Sequence, residues 1–358
     1  MELELLNSSF QRVYILDTFV SMIWTDRFWE MGDFDLTTLP TTNNLNMFNN
    51  ASYLRLKESD HLMIIEHKEI KSDIENGDLL VIKGRSLESI LERRIIWEPT
   101  YLSGSMQDGI ESLIIDAIQY PDDPDRTISN FTVDLSSDSA ITSLTVDTQF
   151  GDGETLYKAI SEMCQAKEVG FRIILDSNNN FEFGLYAGTD RSVSQSTNVL
   201  VEFSSNLDNL LEASYVETNK YLKTVVLVAG EQGVGNAKAY VEVDAPGTPP
   251  TGLNRREMYY KANISRNLPG GGTLTDAQYL DQLEGKGIEE LAKNVFVESF
   301  DGEVSTVMYN YGEDFFMGDV LQIADDYGHS TSSRVTEMIY SQNVEGIKVY
   351  PTFTTTGN

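Results

Sequence analysis

Histidine is the side chain best suited to proton transfer and metal ligation near neutral pH, and this sequence has three: His61, His67 and His329. The first two are six residues apart, a spacing that puts both on one face of an extended strand. Zinc takes three or four protein ligands. No matched third ligand is identifiable, so the pair reads as strand surface and no metal ligand is assigned. Asp176, Asn178, Asn180 and Glu182 have the alternate spacing of a calcium loop. That loop needs glycine at its sixth position and a bidentate glutamate at its twelfth, where this chain has Phe181 and Ala187, so the stretch reads as a hairpin turn. Gly230, Gly233 and Gly235 follow the apolar run TVVLVA, as glycines do in phosphate-binding loops. No lysine-serine pair follows, and NAKAYVEVD alternates like a strand where a helix N-terminus would be needed.

The lone cysteine, Cys164, lies on the apolar side of an expected helix and reads as a buried structural thiol. A serine nucleophile elbow, a cysteine-histidine pair and an HExxH motif are missing. Asp33 with Asp35, and Asp325 with Asp326, are carboxylate pairs in a chain so acidic that some pair reaches glycosidase spacing by accident. They read as solvated faces. Arg255, Arg256, Tyr259, Tyr260 and Lys261 form one basic and aromatic patch, which suits either an acidic neighbouring subunit or the amphipathic edge of an insertion. No catalytic residue, cofactor or metal site is assigned, and the chain is not expected to be an enzyme.

The 56 acidic residues against 26 basic ones give a net charge of −30, so the average surface repels phosphate and a general nucleic-acid binder is disfavoured. Hydrophobic residues at 41% and aromatics at 10% describe a globular chain, and 358 residues suggest two or three domains. MELELLNSSF lacks the basic region of a secretory signal, and no apolar run approaches the about 20 residues that span a bilayer. Export and membrane insertion are therefore not expected.

The elements that would position these residues begin with RFWEMGDFDLTTLP, where Gly32 and Asp33 permit a tight bend between the strand VYILDTFVSMIW and its partner. Strands are expected over residues 12–24, 34–39, 53–57, 61–71 and 78–83, with TTNN as one of the breaks between them. Leu87, Ile90, Leu91 and Arg94 then fall at helical spacing behind Ser86, giving a helix that closes a first β-barrel over residues 1–97. Residues 98–200 read as an α+β module. Its helices span 107–118, with Asp108 and Glu111 at capping-box spacing, and 154–167; the hairpin FRIILDSNNNFEFGLY follows. Short alternating strands in 201–244 and 295–358, including 238–244 and 304–310, predict a second barrel. Residues 245–294 read as an insertion with one helix capped by Thr275 and Gln278. The fold class is α+β, mainly β, with two small antiparallel barrels.

Several of these stretches occur in the order seen in one family. RFWEMGDFDLTTL, VIKGRSLESILERRII, GETLYKAISEMCQAKEVGFRIILD, FEFGLYAGTDRS, YLKTVVLVAGE, FFMGDVLQIADDYG and RVTEMIYSQNVEGIKVYPTF together resemble the baseplate hub, or N-terminal tail-associated, proteins of siphophages. The resemblance covers nearly the whole chain and marks Arg27, Gly32, Gly84, Arg85, Gly318, Asp319 and Pro351 as structural family positions. It implies a homotrimer at the tail tip of the virion, each subunit offering two similar barrels, so that a threefold tip seats on a sixfold tail tube or distal ring. Its partners would be those ring and tube proteins, the tape-measure protein and other tail-tip or fibre proteins. The hub would close the channel, open for DNA ejection and let DNA pass without specific binding, a role that suits an acidic wall. Many such hubs continue into a peptidoglycan hydrolase or host-binding domain; this chain stops at PTFTTTGN, so lytic or receptor-binding activity is expected from another protein. The competing readings are an acidic carbohydrate- or peptidoglycan-degrading enzyme and the hub of a contractile injection machine.

Overall fold

The computed structural model describes residues 1–73, 77–151, 153–230, 239–247, 249–268, 272–304 and 308–355. Gly233, Gly235, the start of the strand expected at 238, the centre of LPGGGT and residues 305–307 of the strand expected over 304–310 lie outside these. The N-terminal strands are β1 (Leu3–Leu6), β2 (Arg12–Leu16), β3 (Ser21–Arg27), β4 (Asp33–Thr38), β5 (Tyr53–Leu56), β6 (Leu62–Asp73) and β7 (Gly77–Ser86). Every second residue of β4 is buried, as one-sided packing requires of a period of two. TTNN is not a simple break, because Thr41 caps a helix, α1 (Thr42–Asn50), by accepting a hydrogen bond from the Asn44 N–H. The strand expected over 12–24 is broken in two. β2 pairs with β1 at the sheet edge whereas β3 pairs with β4 in its middle, and one straight strand cannot occupy both places.

A mixed α and β region follows: β8 (Thr100–Ser105), α2 (Met106–Ile114), β9 (Phe131–Asp134), α3 (Ser139–Thr142), β10 (Thr145–Phe150), α4 (Leu156–Ala166), β11 (Gly170–Leu175) and β12 (Phe181–Tyr186). In α4, Leu156, Ala159, Ile160, Met163 and Cys164 form the buried stripe. The helix expected over 107–118 ends as an α-helix at Ile114 and continues as one π turn to Gln119. Its cap is Ser105, not an Asp108–Glu111 box. The helix expected at 87–94 is a 3-10 helix, Leu87–Arg93, and its buried Leu87, Ile90 and Leu91 join the core beneath α2 and α4.

The chain then forms β13 (Glu202–Ser204), β14 (Leu210–Thr218), β15 (Val225–Ala229), β16 (Tyr240–Asp244), β17 (Glu257–Lys261), β18 (Asn267–Leu268) and β19 (Gly272–Thr273), followed by α5 (Asp276–Ala292). Thr275 and Gln278 make the expected capping box. Helix α5 buries Tyr279, Leu283 and Leu291 with Val226, Val228 and Val243 of a small three-stranded sheet. A Cβ on Gly287 would lie 2.6 Å from Val243, so only glycine lets the helix approach this closely. The last strands are β20 (Val297–Val304), β21 (Val320–Ala324), β22 (Ser330–Asn343) and β23 (Gly346–Thr355).

Among the described residues, thirteen strands join one sheet, whose main path runs β2-β1-β5-β6-β7-β4-β3-β22-β23-β20-β14. No described sheet closes into a barrel, contrary to the expectation of two. The physical reason is that β3, whose free edge would have to receive the returning strands, already pairs along that edge with β22, from Met22↔Gln342 to Arg27↔Glu337. The N- and C-terminal strands are therefore halves of a single mainly β sheet with one shared core around Trp24, Phe34, Phe203 and Phe353.

Gly84 tests this packing, because a Cβ there would sit 1.7 Å from the Ile64 carbonyl oxygen. Gly84→Ala is expected to destabilise the chain by at least about 3 kcal/mol in urea unfolding, the scale of a severe backbone clash. A loss under about 0.5 kcal/mol, the range of a surface substitution, would contradict the β6–β7 geometry.

Candidate functional site

Four of the seven positions that the resemblance marks, Arg27, Gly32, Gly318 and Asp319, lie in or beside the turn that follows β3. Phe28 is fully buried there between the sheet, the mixed region and the C-terminal strands. Its N–H donates to the Thr336 carbonyl at 3.0 Å, and its carbonyl accepts from the Phe171 N–H at 3.2 Å. The ring makes an edge contact with Tyr186 at 5.3 Å between centroids, and the Arg334 guanidinium lies 5.5 Å from it. Two glycines make room for this ring. A Cβ would meet it at 2.6 Å from Gly170 and at 2.3 Å from Gly318, which also has φ +88°. The next residues extend the seam: Ser161 Oγ donates to the Trp29 carbonyl at 2.9 Å, and the Met31 N–H donates to the Tyr157 hydroxyl at 3.1 Å.

Charged groups lock the rim of this junction. Arg27 donates from Nη1 to Asp33 and from Nε to Glu337, each at 2.6 Å, and so ties β3 to both sides of the sheet. Gly32 exchanges hydrogen bonds with Ser86: its N–H donates to Ser86 Oγ at 2.7 Å and its carbonyl accepts from the Ser86 N–H at 3.0 Å. Arg85 grips Glu66 with two nitrogens, at 2.7 and 3.1 Å, and Glu92 with a third contact at 2.5 Å. Asp319 is buried and accepts from the N–H groups of Thr189 and Phe316 and from Arg191 Nε, at 2.6, 3.0 and 2.7 Å. Arg334 donates to the Gly318 carbonyl and to Glu168, both at 2.7 Å. Thus Arg27, Gly32, Gly318 and Asp319 gather around Phe28. Gly84 and Arg85 stand in the neighbouring strand, and Pro351 lies apart in β23 opposite Met338.

Beneath the seam is a buried ionisable cluster that the sequence did not announce. His61 Nδ1 lies 3.3 Å from Glu88 Oε1, and the same carboxylate oxygen accepts from the Ile173 N–H at 2.8 Å. Asp26 accepts from Trp24 Nε1 at 2.8 Å and from Ser59 Oγ at 2.7 Å. Burial disfavours the charge on His61, but Asp26 and Glu88 outweigh it and push its pKa up to about 9. Burial likewise opposes the charge on Glu88, and His61 overrides it so that the carboxyl is held below its usual range. Asp26, for which burial dominates, is raised.

The histidines therefore do not form the expected surface pair. His61 precedes β6 and is buried, whereas the register shift between Ile65 and His67 resets the alternation and leaves His67 exposed, 3.5 Å from Glu69. His329 Nδ1 donates to Asp325 Oδ2 at 2.7 Å, and its ring stacks on Tyr215. Asp176 accepts from the N–H groups of Asn178 and Asn180, closing a hairpin turn. Burial pushes the Cys164 thiol up, away from reactivity. Arg255 is bridged within its own chain by Glu242 and Glu257, at 3.0 and 2.6 Å. Among the described residues, no group of three or more His, Cys, Asp or Glu side chains is placed to hold a metal ion.

A family model described as Siphovirus ReqiPepy6 Gp37-like protein matches residues 2–354. The fold is similar to a tail protein from Neisseria meningitidis MC58, with a TM-score of 0.57 at 13% identity over 98% of this chain and 95% of that one. It is also similar to prophage tail protein gp18 from Listeria monocytogenes EGD-e (TM-score 0.55, 10% identity, 99% and 94% of the two chains). A third likeness is to the 43 kDa tail protein of prophage MuSo2 from Shewanella oneidensis (TM-score 0.55, 11% identity, 99% and 98%). No curated protein matches.

Two outcomes follow from the junction. Phe28→Ala is expected to cost about 3–5 kcal/mol in denaturant unfolding, the range for emptying a buried phenylalanine site. Because the folded pKa of His61 is raised, its stabilisation is complete below about pH 6.5, the unfolded value, and is lost as pH rises through about 9. Thermal midpoints measured across that window should fall, and His61→Gln should remove that part of the fall. A wild-type curve flat across the window would contradict a charged His61.

Proposed function

The chain belongs to the Siphovirus ReqiPepy6 Gp37-like family, and from that we propose that it is a structural protein of the phage tail, the homotrimeric hub at the distal tip. The observation that carries this reading is the family match across residues 2–354, joined to a chain-long likeness in fold to phage tail proteins. In this role three copies seat on the sixfold tail tube or distal ring, contact the tape-measure and other tip proteins, close the channel and open it for DNA ejection. Its building blocks are the units over residues 1–97, 98–200, 201–244 with 295–358, and 245–294, the first and third sharing one sheet and β15 and β16 of the third packing against the helix of the fourth. The work is done by interfaces rather than by bond chemistry.

Two physical features support the reading. A single sheet linking the first strands to the last, pinned at Phe28 and Arg27, suits a part that carries load between rings. A net charge of −30 suits a wall along which DNA must slide without sticking. Arg27, Gly32, Gly84, Arg85, Gly318, Asp319 and Pro351 serve this role by holding the junction and its strands in shape.

The solution mass of the purified chain, from light scattering coupled to size exclusion, tests the proposal. The expected outcome is a species near three times 40.1 kDa. A tight dimer that persists across salt and protein concentration would overturn the trimeric hub.

A further inference from the structure

On the mixed region, away from the Phe28 junction, a cleft of about 500 Å³ opens between the segment at 95–101, the end of α2 with its π turn, and the loop after it. Its size falls in the range of about 300–1,000 Å³ typical of small-molecule sites. Trp97, Tyr101 and Tyr120 line it, with Trp97 51% and Tyr120 80% exposed, so that three aromatic side chains share one concave surface. Glu98, Asp116, Asp122 and Arg126 supply its polar groups.

These polar groups are of two kinds. The Arg126 guanidinium is fixed, donating from Nη2 to the Ile95 carbonyl at 2.8 Å and lying 4.1 Å from the centre of the Trp97 ring. The Arg126 carbonyl in turn accepts from Nε and Nη2 of Arg94 at 3.0 and 2.8 Å. No hydrogen bond or ion pair among the described residues engages the Asp116 or Asp122 carboxylates, and partial burial together with Asp122 raises the pKa of Asp116. The cleft thus holds an anchored donor, unengaged acceptors and flat apolar faces.

Charge selects among ligand classes. A phosphate-rich ligand would meet three carboxylates in a chain of net charge −30. A polycation would meet the like charge of the Arg126 guanidinium, which already covers one face of Trp97 and leaves the rest of that half-exposed ring for a neutral ligand. A neutral polyhydroxyl ligand satisfies both kinds of polar group at once, because each hydroxyl can donate to a carboxylate and accept from the guanidinium, while its C–H faces cover the rings. We propose that this cleft binds a neutral oligosaccharide, with Trp97 and Tyr120 as stacking platforms and Asp116, Asp122 and Arg126 as hydrogen-bond partners. Sugar binding by this chain is independent of the hub role.

Isothermal titration of the full chain with cellotetraose, chitotetraose and mannotetraose tests the site, beside tetralysine and tetraphosphate as charged probes. The expected result is saturable binding of at least one of the three sugars, stronger than either charged probe. Trp97→Ala and Tyr120→Ala should each weaken it several-fold to about tenfold, the loss of one aromatic contact. Both side chains are largely exposed, and circular dichroism is expected to be unchanged. The proposal is overturned if none of the three sugars saturates, if both variants bind as tightly as the wild type, or if either charged probe binds more tightly than every sugar.

Discussion

The packing of Phe28 is the contact on which the architecture depends. One ring, without a polar atom in its side chain, touches the backbone of two glycines that belong to different parts of the fold, Gly170 at the start of β11 and Gly318 just before β21. Its own N–H and carbonyl are spent on two further partners, Thr336 and Phe171. Van der Waals contact of this kind is short-ranged, and a gap of an ångström forfeits much of it. The sheet, the mixed region and the C-terminal strands can therefore meet in only one arrangement. Gly188 extends the same logic, since a Cβ there would lie 1.7 Å from the Gly318 carbonyl oxygen.

Around that apolar point the scarce basic residues are concentrated. The chain has 26 lysines and arginines against 56 acids, yet Arg27, Arg85, Arg191 and Arg334 all stand at this seam with carboxylate partners. Arginine suits the task because its planar fork satisfies two acceptors without losing its charge on burial. Arg27 reaches Asp33 and Glu337, residues 304 positions apart (337 − 33) in the chain. The acidic excess is left to the surface, so the same composition both closes the interior and repels polyanions outside.

Much of this was legible in the residues, and the remainder was hidden for identifiable reasons. The turn RFWEMGDFDLTTLP announced itself through Gly32 and Asp33 beside large apolar side chains, and α4 through its stripe ending at Cys164. The Thr275–Gln278 box was equally local and equally readable. Barrel closure was not readable, because strand composition says that strands form and not which edge each one takes. The pairing of β3 with β22 joins residues more than 300 positions apart. The His61–Glu88 contact was hidden for a second reason: the shifted register between Ile65 and His67 breaks the alternation used to assign faces. Its one available signal was Glu88 on the apolar side of a helix that otherwise buries Leu87, Ile90 and Leu91.

The single sheet also restricts how such a subunit can move. Separating its N- and C-terminal strands would break six register pairs between β3 and β22, empty the site of Phe28 and strip Glu337 from Arg27. The first loss leaves backbone groups unpaired, the second leaves a cavity and the third takes one of the two carboxylate partners of Arg27, and together they exceed what a small rearrangement at a distant contact supplies. The mixed region is held by the same junction through Gly170, Phe171 and Tyr186. Motion within the subunit along these seams is therefore costly.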